Sequence, residues 1–271
     1  MARMLMMLLC TAMLAINATA EPKYPRPEWG KKWYTETRKE LLDCLSGKWP
    51  DPTIQACSAA LGHPWIEKYF KMSGIRSAIF FHRARAYNYK HEDDLALADL
   101  NEAIRLSNPE APPIILTEAL YQRSVLYWKK HDYDRCFSDL DEVLRINPQN
   151  SFALVLRGQL YASPKHDYDR AIADLDEAVR LDPQEPIPLT WRGMVYALYK
   201  HDYDRAISDF DEVLRHYSRD ATALAHRGLS YMAKGESERA RADLDAAERI
   251  DPETKRAIEQ QWLSINRPKT P

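Results

Sequence analysis

Glycine is scarce in this chain, at 8 of 271 residues against 17 prolines, a balance that suits long helices interrupted only at their ends. Basic charge is not in excess either. Lys and Arg total 38 against 40 Asp and Glu, a net −2, so nothing in the balance points to nucleic acid, which usually demands a basic face. No run of like charges forms an interaction tail. The patterns G-x-S-x-G, the Walker loop and H-E-x-x-H are missing, as are C-x-x-C and C-x-x-C-H. The nucleophile elbow, phosphate cradle, zinc-protease helix, thiol redox pair and haem attachment are excluded with them. No catalytic residue, metal or cofactor is expected. Beyond residue 20 no apolar run approaches the ~20 residues of a bilayer span.

What is present begins with a distinct leader. "MARMLMMLLCTAMLAINATA" has Arg3, an apolar stretch from Met4 to Ile16 and the small-x-small site Ala18-Thr19-Ala20. That layout predicts a signal peptide over 1–20, cleaved after Ala20; the alternative is an uncleaved anchor. Cys10 follows Leu9, a poor lipidation box, and is read as leader only. Export to an oxidising periplasm, or secretion, would leave Cys44, Cys57 and Cys136, enough for one bridge and one leftover thiol. Residues 21–30, "EPKYPRPEWG", are too rich in proline for helix and read as an extended arm.

From residue 75 the chain repeats itself. Arg-small dipeptides stand at Arg83-Ala84, Arg123-Ser124, Arg157-Gly158, Arg192-Gly193 and Arg227-Gly228, each followed by Tyr87, Tyr127, Tyr161, Tyr196 or Tyr231. A second series runs Ala96, Cys136, Ala171, Ala206 and Ala240. Four residues on come Leu100, Leu140, Leu175, Phe210 and Leu244. The spacing predicts two helices per unit, with stripes such as Leu154, Gly158, Tyr161 and Ala171, Leu175, Ala178. One such hairpin cannot bury its own stripe, so the copies must stack. "TKRAIEQQWLSIN" reads as a terminal amphipathic helix whose Ile258, Trp262 and Ile265 cover the open end.

In these residues the chain resembles the tetratricopeptide repeat (TPR) family, with five units over 75–253. The resemblance implies an all-α fold: a right-handed α-solenoid of helix hairpins with an N-terminal half-repeat (31–74) and a C-terminal capping helix and tail (254–271). By register, Cys44 falls where other units have Tyr and Cys57 where they have Leu or Phe. In the family these positions face each other, which implies a Cys44–Cys57 disulfide; the alternative is two free thiols. Cys136 falls at a small packing position and is expected to be buried.

The motif "KHDYD" recurs at Lys130, Lys165 and Lys200. His91, His131, His166 and His201 share the turn of a unit, where the fifth unit has Gly235. A left-handed residue ends a helix there, and His is one of few alternatives to Gly. Asp132, Asp167 and Asp202 then cap the next helix. Packed helices stand ~8–10 Å apart, too far for equivalent histidines to share a metal. Asp174 with Glu177, and Asp209 with Glu212, read as a solvated face with Arg180 and Arg215 as partners.

The resemblance also implies a concave groove lined by first-helix residues. Carried over, these are Phe81, Arg85, Asn88 and Tyr89 in the first unit, and Tyr121, Val125, Trp128 and Lys129 in the second. Phe152, Val155, Gln159 and Ala162 follow in the third, Thr190, Met194, Ala197 and Leu198 in the fourth, and Ala225, Leu229 and Met232 in the fifth. The set lacks the Lys and Asn pattern with which some relatives clamp a terminal carboxylate. It implies a non-catalytic scaffold binding a protein or peptide segment in the bacterial cell envelope. The alternative is a self-associating, homo-oligomeric subunit of an envelope or secretion complex.

Overall fold

A computed structural model describes residues 39–45, 50–63, 74–107 and 113–266. The leader, the arm and residues 64–73 lie outside the described residues. Among the described residues every regular element is a helix. An N-terminal hairpin pairs α1 (39–45) with α2 (Asp51–Gly62). Five hairpins follow: α3 (Ile75–Tyr89) with α4 (Asp93–Arg105), α5 (Ile114–Lys129) with α6 (Tyr133–Ile146), and α7 (Ser151–Ala162) with α8 (Tyr168–Leu181). Then come α9 (Pro186–Val195) with α10 (Tyr203–His216), and α11 (Ala221–Ala233) with α12 (Ser237–Ile250). The closing helix is α13 (Pro252–Ile265). Each helix packs on its hairpin partner and on the hairpin behind it, an all-α solenoid.

The core is accordingly a chain of clusters. One surrounds Leu140, Leu160 and Leu175, the next Phe210, Leu224 and Ile258, and both share Ile172, Trp191 and Tyr199. The small residue of each first helix makes this close approach possible. A Cβ on Gly193 would meet the Phe210 ring at 2.8 Å, and one on Gly228 would meet Leu244 Cγ at 2.9 Å. The expected stripe Ala171, Leu175, Ala178 is fully buried. Each such leucine removed from water stabilises the stack by roughly 1.5–3 kcal/mol.

The turns behave as their chemistry requires. His91, His131, His166 and His201 have φ of 60°, 58°, 55° and 53°, and Gly235 has 81°. Asp132, Asp167 and Asp202 accept from the backbone N–H of Arg135, Arg170 and Arg205 at 3.3, 3.1 and 3.2 Å. In every unit the carbonyl of the repeated tyrosine accepts a turn N–H at 2.8–3.0 Å, from Glu92, Asp132, Asp167, Asp202 or Glu236. Units three and four carry one extra residue between this tyrosine and the histidine. Unit three absorbs it in the turn at Ser163 and Pro164, unit four in a π-helical turn over Tyr196–Lys200.

Two expectations need correction. In α13, Ile258 is buried and Trp262 partly so, but Ile265, the last residue of the helix, is exposed. Asp174 and Asp209 are not on a solvated face. They are buried and bound by Arg157 and Arg192, while Glu177 and Glu212 take Arg180 and Arg215 as expected.

That arginine is a joint between hairpins. Nε and Nη2 of Arg157 each donate to Asp174 at 2.8 Å within its own unit, and Nη1 donates to Asp141 of the preceding unit at 2.8 Å. Arg192 and Arg227 repeat the arrangement with Asp209 and Asp176, and with Asp243 and Asp211. In Arg83 and Arg123 the backward bond goes to Ser58 (3.0 Å) and Asn101 (2.7 Å). A planar fork holding one carboxylate at two points fixes geometry as well as charge. A second, exposed row joins the turns: Lys90, Lys130, Lys165, Lys200 and Lys234 reach Asp51, Asp94, Asp134, Asp169 and Asp204 of the unit before. The "KHDYD" motif is therefore turn, cap and clasp.

Candidate functional site

The first helices leave a wall of side chains that the stack does not close. On α5 a stripe at helical spacing runs Glu118, Tyr121, Gln122, Val125, Trp128 and Lys129. Tyr121 meets Phe152 of α7 with ring centroids 6.2 Å apart. Lys129 Nζ donates to Asn88 Oδ1 at 3.2 Å and lies 3.6 Å from Asp93, so the polar rim of α3 and α5 is tied together. Arg85 lies over the Phe81 ring at 5.8 Å.

The structure divides the implied groove set. Tyr89, Trp128, Phe152 and Met232 are exposed, between 42% for Trp128 and 69% for Tyr89. Arg85 and Lys129 are exposed, and Asn88, Tyr121, Val125 and Gln159 are half-buried. Phe81, Val155, Met194, Leu198 and Leu229 are buried, and Ala162, Ala197 and Ala225 with them. These residues are corrected to core: successive first helices close over them, so family offsets mark a face without marking what the next helix covers. Two residues of the wall were missed. Ile187 is exposed and Glu118 half-buried, and both occupy the offset that Phe152 occupies in its own unit. That shared offset was the available signal.

Titration separates the wall from the core. Burial pushes the Glu118 carboxyl above its ordinary value while the charge of Arg85 pulls it back. Burial, and then Glu118, raise the Tyr121 phenol. In the core, burial pushes the Cys136 thiol up to about 12, which leaves it inert as a nucleophile. His82 and His226 are both lowered to about 4 by burial, and each has a ring nitrogen without a partner among the described residues.

Among the described residues no group of three or more His, Cys, Asp or Glu could hold a metal. None of the described helices is long and apolar enough to cross a membrane. Cys44 and Cys57 form a disulfide with Cα atoms 4.8 Å apart.

Comparison with known proteins agrees with this architecture. Residues 117–150 and 153–185 match one tetratricopeptide repeat model, and residues 195–253 match another. No curated protein matches the chain in sequence. Among solved structures, YrrB, described as a TPR protein with an unusual peptide-binding site, is 22% identical with a TM-score of 0.57, over 76% of this chain and 99% of its own. A tetratricopeptide repeat protein from Parabacteroides merdae ATCC 43184 is 18% identical with a TM-score of 0.62, over 88% and 95%. MamA from residue 41 onward, from Desulfovibrio magneticus RS-1, is 18% identical with a TM-score of 0.56, over 65% and 94%. At such identities the likeness is one of fold.

Proposed function

We propose that this chain, a tetratricopeptide-repeat protein, is a non-catalytic scaffold of the bacterial cell envelope that holds a protein or peptide segment in its concave groove. The observation that carries the reading is the set of exposed aromatics on first helices, Tyr89, Trp128 and Phe152, on a stack whose other large apolar side chains are mostly closed into the seam. Aromatic residues of this kind anchor interfaces because they bring large apolar area with few rotamers to lose. The peptide-binding site named for YrrB supports the same use of the fold.

Two observations support the location. Residues 1–20, with Arg3, an apolar stretch and Ala18-Thr19-Ala20, fit the layout of an export signal. The Cys44–Cys57 disulfide suits an oxidising compartment.

The test is a pull-down from envelope extract with wild type and Trp128→Ala. The expected result is a partner retained by wild type and lost by the variant while thermal unfolding is unchanged. Equal retention by both proteins overturns the groove assignment. Light scattering of the purified protein separates the alternative, in which a stable homo-oligomer hides Trp128.

A further inference from the structure

The occupied and unoccupied charges of the wall differ. Lys129 is already tied to Asn88 and Asp93. Glu118 is not. It is half-buried and, among the described residues, accepts no hydrogen bond and enters no ion pair, although every buried carboxylate of the arginine joints is held at two points. One turn further on α5 stands Tyr121, whose ring meets that of Phe152. A partly desolvated carboxylate whose charge reaches Tyr121, itself in contact with the Phe152 ring, offers what a cation seeks: an acceptor for charge-assisted hydrogen bonds and π faces for its flanks.

We propose that Glu118, with Tyr121 and Phe152, forms a subsite for a basic side chain, so that the segment held by the groove carries an Arg or Lys beside its apolar anchors. This rests on the groove reading above and specifies its ligand. An unpaired carboxylate in a half-dry wall is a cost to the free protein, and a ligand cation removes it. The rise of the Glu118 carboxyl on burial agrees with that cost. Arg85 is the cation whose charge reaches Glu118. Its field opposes a second positive charge, so Arg85 tunes the site from the facing helix. The exposed Ile187 and Met232 leave the far end of the wall to apolar contacts, which places the charged step toward units one to three.

The experiment uses the full chain and a random peptide library displayed on phage. A selected sequence is then synthesised with Arg, and with its neutral isostere citrulline, at the basic position. Selected clones are expected to be enriched in Arg and Lys, and the Arg peptide to bind about tenfold tighter than the citrulline peptide. Glu118→Gln should abolish that difference while leaving the citrulline peptide unaffected, and Arg85→Gln should widen it. Selected clones without basic enrichment, or with acidic enrichment, overturn the subsite and leave the groove standing. So does an Arg-to-citrulline difference that persists in Glu118→Gln. The comparison of the two peptides on unaltered protein needs no variant to fold. A library that yields no clone, or only clones that bind Trp128→Ala as well as wild type, removes the groove reading and this inference with it.

Discussion

Where the five units carry Arg83, Arg123, Arg157, Arg192 and Arg227, the N-terminal hairpin carries Glu40, and where they carry the paired aspartate it carries Ala56. The joint cannot form there. Glu40 instead meets His63 at 2.9 Å, and the facing positions one turn deeper hold the Cys44–Cys57 bridge in place of Tyr and Leu. The other repeated contacts persist: Thr53, Cys57 and Ala60 make the buried stripe, Asp51 receives Lys90, and Ser58 receives the arginine of the next unit. The comparison teaches that a hairpin of this stack needs a fixed link between its two helices, and that a bidentate ion pair and a covalent bond serve the same place.

The comparison can be broken in four ways. The largest effect is expected for Arg192→Ala, which leaves Asp209 buried without its partner; such a loss costs about 3–5 kcal/mol. Urea unfolding should show it, and Arg192→Met combined with Asp209→Leu should recover much of it. Second, Cys44→Ala with Cys57→Ala should cost about 3 kcal/mol, with faster hydrogen exchange confined to α1 and α2. Exchange spreading evenly through the stack would contradict separate links.

The third test is acid. Unfolded His226 takes up a proton below 6.5, but in the folded chain it does so only near 4, because burial against Phe210 opposes the charge. Between these values the unfolded chain binds more protons, so stability is unaffected above 6.5, falls as pH drops, and is reduced by up to about 3 kcal/mol at pH 4. His226→Leu should flatten this dependence in unit five without altering that of His82 in unit one, as hydrogen exchange at each end would show. The smallest effect is expected for Lys165→Ala. Its bond to Asp134 is exposed, and its loss should lower the unfolding free energy measured in urea by less than about 1 kcal/mol. A large shift would make the outer row of lysines a structural equal of the arginine joints.

The architecture was legible because it repeats. A stripe that recurs five times in register identifies helix pairs, and a histidine aligned with a glycine identifies a left-handed turn. The arginine joint was visible only as a register mark. Its partner lies 16 or 17 residues on, across a turn, where helical spacing carries no information, so spacing alone points Asp174 and Asp209 to the nearer Arg180 and Arg215. The disulfide came from the family register, since sequence alone allows three pairings of three thiols. The wall was half legible: offsets placed Tyr89, Trp128 and Phe152 outward, but burial of Phe81, Leu198 and Leu229 depends on how tightly the next helix leans over, which no single unit encodes.

The tyrosine carbonyl that closes every turn has a consequence for how such a chain can change length. The same acceptor is reached whether the histidine follows at four positions or at five, by a proline kink in one unit and a widened helical turn in the next. Residues added on that rim are taken up before they reach the stacked helices. Growth by insertion after the exposed Ser163 therefore leaves the packing of neighbours untouched, and a graft of foreign sequence belongs there, whereas the turn of unit four holds the buried Tyr196, Ala197 and Leu198 and has no such freedom.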